Sequence, residues 1–75
     1  MRKYWYIWSD SESEVELPQG LDHKVFYNII QAESAAIDFV HQYDNDERRV
    51  IVHVEDGLNG ETIATYENSN NRCDR

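Results

Sequence analysis

The sequence predicts an α+β domain: a four-stranded sheet in ββαββ order with one helix packed on one face. Three observations lead there. Aromatic and β-branched residues cluster in four short runs, one stretch between the second and third run switches to helical spacing, and two Asx-Gly dipeptides mark a hairpin before the last run. A chain of 75 residues holds one domain. That domain is expected to span 1–67, with an acidic loop over 9–22 and a disordered polar tail over 68–75.

The first strand is "KYWYIW", whose faces are Lys3/Trp5/Ile7 and Tyr4/Tyr6/Trp8. "SDSESEVELPQGLD" breaks the pattern with an acidic run, then the turn residues Pro18 and Gly20. "HKVFYNII" reads as the second strand, Val25/Tyr27/Ile29 alternating with Phe26/Asn28/Ile30. In "AESAAIDFVHQYDND", Ala36, Phe39, Val40 and Tyr43 recur at i, i+3, i+4 and i+7, one face of an amphipathic helix. Ser34 is its expected N-cap, and Asn45 its stop in the left-handed conformation. "RRVIVHVED" is the third strand, with Val50/Val52/Val54 facing the helix and Ile51/His53/Glu55 facing away. Asp56-Gly57 and Asn59-Gly60 turn the chain into the return strand "ETIATYE". The crossover from the second strand through the helix to the third is expected to be right-handed. One helix covers one face only, so Phe26, Ile30, Ile51, Tyr66 and some first-strand rings are expected on an open face. Such a patch serves a partner or a second copy of the chain.

Charge narrows the function classes. Fifteen acids face seven bases, for a formal net charge of −8. That field repels nucleic acid and anionic lipid and attracts basic protein surfaces. Cys73 is the only cysteine, so no intrachain disulfide forms. The opening "MRKYWYIWSD" lacks signal-peptide architecture, and no segment reaches the ~20 apolar residues of a membrane span. The expected location is the cytoplasm.

Within the acidic run, Asp10, Glu12, Glu14 and Glu16 occupy every second position. Fully extended, they would project to one side about 6.6 Å apart, at about 3.3 Å per residue. A ladder of negative charge at that interval imitates a phosphate backbone; the plainer reading is a solvated loop that keeps the chain soluble. Acids three residues after Ser9, Ser11 and Ser13 also suit acid-directed phosphorylation. A second acidic group, Asp44, Asp46 and Glu47, follows the helix where the macrodipole disfavours it. Trp5 and Trp8 are the expected apolar anchors beside the charge. The three histidines and Cys73 match no zinc spacing, although His53 and Glu55 share a strand face. There is no phosphate-binding glycine loop, and serines among acids make poor nucleophiles. No catalytic residue, metal or cofactor is expected, and the chain is read as a non-enzyme.

The stretch "YNIIQAESAAIDFVHQYDNDERRVIVHVEDGLNGETIATYE" resembles, in architecture and composition, very short phage and mobile-element proteins, some of them anti-CRISPR or anti-restriction inhibitors. The resemblance implies an acidic, non-catalytic inhibitor of a host nucleic-acid-binding complex, acting in the host cytoplasm by DNA mimicry. It assigns no individual residue. The alternative is a homo-oligomeric accessory module, for instance a homodimer, that pairs through its aromatic sheet face.

Overall fold

The computed structural model describes residues 2–69. Its elements are β1 (Trp5–Ser9), α1 (Ile29–His41), β2 (Ile51–Asp56) and β3 (Thr62–Glu67). The α+β class is as the sequence predicts, but the sheet has three strands, not four. Its order is β1-β2-β3, with both pairings antiparallel. Among the described residues there is no parallel crossover, so the expected right-handed connection does not arise.

The missing strand was expected over residues 23–30, and two local features remove it. His23 adopts a positive φ of 61°, which interrupts an extended run. Asn28 is the N-cap of α1, and its side chain accepts hydrogen bonds from the backbone N–H groups of Ile30 and Gln31. Ile29 and Ile30 therefore enter the helix, and Ser34, the expected cap, lies inside it. Only Phe26 retains a strand role, as an isolated antiparallel bridge to Trp5 with N···O distances of 2.7 and 2.8 Å. The His23 N–H also donates to the Ile7 carbonyl at 2.8 Å. This irregular segment shields the outer edge of β1, where unpaired backbone would otherwise invite strand addition.

The helical stripe behaves as its spacing predicts and runs one turn further back. Ala32, Ala36, Phe39 and Val40 are buried, and Tyr43 packs beside them. They meet Val50, Val52 and Val54 of the β2 segment and Ile7 of β1, all essentially inaccessible. Leu17 closes the core at one side, its N–H held at 2.8 Å by the Ser9 hydroxyl. Asn45 has the expected left-handed φ, 69°, in the turn after the helix. In the β2–β3 hairpin the Asp56 carboxylate accepts from the Leu58 N–H, and Gly60 takes a φ of 73°. At Gly57 a Cβ would collide with the Tyr4 ring. Ile63 is the extra residue of a bulge on β3, opposite the step from Val54 to Glu55.

Asn68 and Ser69 begin the segment read from sequence as a tail, and both are tied to the fold; the rest of that segment lies outside the described residues. Asn68 is only 8% exposed. Its Oδ1 accepts from the Val50 N–H at 2.8 Å, while Nδ2 donates to the carbonyls of Tyr43 at 2.7 Å and Arg48 at 2.9 Å. One side chain thus joins the post-helix turn, the entry to β2 and the exit of β3. Replacing it leaves the buried Val50 N–H and two part-buried carbonyls without this partner. Asn68→Ala is expected to cost about 2–3 kcal/mol, read as a lower urea midpoint at unchanged slope; a loss below about 0.5 kcal/mol would show that the clasp is dispensable. Asn28→Ala should cost about 1 kcal/mol, with lower helical ellipticity.

Candidate functional site

Side chains alternate along a strand, so the residues opposite the core share the other sheet face. The register places Tyr6 across from Glu55 and Trp8 across from His53 on that face. There the Glu55 carboxylate accepts two hydrogen bonds, from the Tyr6 hydroxyl at 2.6 Å and the Trp8 indole N–H at 2.9 Å. The Trp8 and His53 rings lie 4.5 Å apart. The His53 imidazole bridges Asp10 Oδ1 at 2.6 Å through Nε2 and Thr65 Oγ1 at 2.8 Å through Nδ1. With Asp10 ionised, a neutral ring is satisfied when Nε2–H donates to Asp10 and Nδ1 accepts the Thr65 hydroxyl proton. Tyr6 also stacks on His23 at 5.1 Å. The expected exposed apolar patch is therefore absent as a unit. Ile51 is buried, Phe26 and Tyr66 pack against the core, and Ile30 lies exposed on the first turn of α1.

The network shifts its own titrations. The Glu55 carboxylate, through its hydrogen bond and its charge, pushes the Tyr6 hydroxyl up to about 12, with desolvation adding to it. Asp10 is held below the usual carboxylate range, first by the His53 hydrogen bond and then by the Glu12 N–H.

The acidic run is folded, not extended. The Ser13 N–H closes a turn on the Asp10 carbonyl at 2.9 Å, so the four acids form no even ladder. Beyond Ser9 the chain keeps beside the entry to β2. Asp10 N–H donates to the Ile51 carbonyl at 3.0 Å, Ile51 N–H to the Ser13 hydroxyl at 3.1 Å, and Glu14 N–H to the Arg49 carbonyl at 2.7 Å. Asp10 lies on the open face, Glu12 and Glu14 reach Arg49, and Glu16 is exposed further along. Of the serines expected as modification sites, Ser9 and Ser13 are engaged in these bonds, and Ser11 is exposed.

The second acidic group converges on the same end of the sheet. Asp46 pairs with its neighbour Arg48 through bonds of 3.0 Å to Nε and Nη2. Arg49 reaches Glu67 at 2.7 Å and Glu12 at 3.3 Å. Asp44 accepts from the Ser69 N–H at 2.8 Å and meets His41 at 2.7 Å; both contacts hold it below the usual carboxylate range. Glu47 is exposed between Asp46 and Arg48 in the chain. Asp46 thus pairs with the Arg48 guanidinium, Glu12 and Glu67 pair with that of Arg49, and Glu14 accepts from the Arg49 backbone N–H. The two tryptophans are not brought together. Trp5 packs against the core beside Ile7, whereas Trp8 belongs to the open-face network.

Sequence reasoning missed the roles of Tyr6, His53, Glu55 and Thr65. A trial antiparallel register would have found three of them, because Tyr6, His53 and Glu55 fall on one face once β1 is set beside β2. Asp10, His53 and Thr65 reproduce a carboxylate–imidazole–hydroxyl chain. Thr65 is exposed on the edge strand, however, and neither it nor His53 lines the cavity beside Trp8. Among the described residues no group of three or more His, Cys, Asp or Glu is arranged to hold a metal ion, and no helix is long and apolar enough to cross a membrane. No protein-family model, curated protein or solved structure matches the chain.

The raised Tyr6 titration gives a direct test. An absorbance titration at alkaline pH should show Tyr6 ionising near pH 12, with Tyr66 also above the ordinary tyrosine range because of its burial, and Tyr6→Phe should delete one late tyrosine from the titration. The fold holds the Tyr6 proton more tightly than the unfolded chain. Its stabilisation is therefore complete below about pH 10 and lost as pH rises towards 12. Asp10 and Asp44 act in the opposite sense: their contribution is complete above the ordinary carboxylate range and lost as pH falls below it.

Proposed function

We propose that the chain is a non-catalytic binding protein that docks on a Lys/Arg-rich protein surface through the acid-rich end of its sheet. The observation that supports this most is the convergence of Glu12 and Glu14 from the first acidic segment, Asp46 from the second, and Glu67 around the adjacent Arg48 and Arg49. Opposed potentials speed encounter and select partners. A partner whose basic surface serves to hold phosphates would be blocked while this end occupies it, so inhibition of a nucleic-acid-binding protein is the activity that follows. The homo-oligomer alternative draws less support, because the open-face rings are tied into hydrogen bonds instead of forming an apolar patch.

Position can be separated from net charge. Glu14→Lys/Glu47→Lys and Asp38→Lys/Glu61→Lys make the same change in charge at different places. At physiological salt the first pair should weaken retention of a basic nucleic-acid-binding partner by about tenfold or more, roughly 1.4 kcal/mol. The second pair should leave it near the wild-type value, and duplex DNA should compete. Equal losses from the two pairs, or no loss from the first, would overturn the reading.

A further inference from the structure

A cavity of about 240 Å³ lies between the acidic loop and the turn at residues 22–23, beside Trp8. Three acidic residues, Asp10, Glu16 and Asp22, line it together with Trp8, Leu17, His23 and three serines; among the described residues no lysine or arginine does. Resting on the docking reading above, we propose that this cavity receives the guanidinium of an arginine from the basic partner.

Size, sign and shape each narrow the occupant. The volume falls below the roughly 300–1,000 Å³ of pockets that enclose drug-sized ligands, so it suits one side chain. Three carboxylates repel anions and favour a cation. Among the described residues no metal-ligating group of three exists, which leaves organic cations. Trp8 then separates guanidinium from ammonium. A planar guanidinium stacks on an indole face and presents a fork of donors to carboxylates at its edge, whereas an ammonium is a compact, strongly hydrated point charge.

The wall is also prepared in advance. The Trp8 indole N–H is fixed by Glu55, and Asp10 is fixed by His53 and the Glu12 N–H. These two groups need no reordering when a ligand enters. Among the described residues the Asp22 carboxylate bonds only to the exposed His23 ring, and the Glu16 carboxylate makes no hydrogen bond or ion pair. Asp22 and Glu16 are thus the carboxylates available to an incoming fork, while Asp10 contributes its field.

The test is a titration of the intact chain, followed by two-dimensional NMR, with three blocked amino acids: arginine, lysine and citrulline, the last a neutral near-isostere of arginine. Expected are saturable shifts of the Trp8 indole N–H and the Ser11 and Ser13 amides with arginine, in the millimolar range of a single side chain. Lysine should bind several-fold more weakly and citrulline should give no saturation. Glu16→Gln/Asp22→Asn should weaken arginine at least tenfold while the rest of the spectrum stays dispersed, which separates loss of the site from loss of the fold. Non-saturating shifts, equal binding of citrulline or lysine, or an unaffected double variant would overturn the proposal. Because no partner is present, the result is independent of docking. A silent cavity beside a partner released by Glu14→Lys/Glu47→Lys would remove the cavity alone. A saturable arginine site with no such partner dependence would remove the docking reading alone.

Discussion

Every other segment of this fold is organised by β2. Among the described residues it is the one strand flanked by a full strand on each side, and its entry is held by groups outside any strand: Glu14 at Arg49, Asn68 at Val50, and Asp10 with Ser13 at Ile51. Its alternation then separates two chemistries. Val50, Val52 and Val54 bury apolar area against α1, and His53 and Glu55 collect polar partners on the opposite face. A three-stranded sheet with a single helix leaves that second face to solvent, as antiparallel sheets commonly do. In this chain it is occupied by aromatic rings whose polar ends are bonded across strands.

The network explains why charge and aromatic area stand side by side in the first twenty residues. Tyr6, Trp8 and Asp10 point to one face in succession, and β2 answers them with Glu55 and His53. Rings supply contact area and the carboxylates accept from their donors, so the face is neither a bare apolar patch nor an unpaired polar one. It also ties the acidic segment to the sheet. Asp10 is joined to His53 forty-three positions later, and that bond helps to set where Glu12, Glu14 and Glu16 can lie.

Some of this was legible in the sequence. The valine alternation of β2, the Ala36/Phe39/Val40 stripe and the Asx-Gly hairpin each depend on neighbours a few positions apart, and each was readable locally. The second strand was misread because "YNII" fits both patterns: Ile29 continues an alternating run and also extends the helical stripe back from Ala32. The Asn28 side chain decides between them by capping Ile30 and Gln31, a role the alternation of apolar residues does not reveal. The site was less legible for a different reason. Its bonds between the first segment and β2 join residues 43 to 49 positions apart, so they depend on strand register, which local pattern does not encode. The tail was misjudged at Asn68 because a polar residue after a strand looks solvated until its three backbone partners are in place.

The structure divides the acids into two kinds, and the division bears on how such a surface binds. Asp10, Asp44 and Glu55 accept hydrogen bonds that hold elements together, so drawing them towards an outside cation would break the fold's own contacts. Even the acids after the helix, poorly placed for its dipole, include one that fastens Ser69. Glu12 and Glu67 instead share Arg49 in exposed ion pairs, each of a type contributing about 0–1 kcal/mol. An arriving lysine or arginine can exchange with Arg49 for these carboxylates at little cost, because one solvated pair replaces another. The fixed acids therefore set the shape and the field, and the exchangeable ones are free to form new pairs. A count of fifteen acids overstates the binding surface; what matters is which of them can change partners without loosening β2.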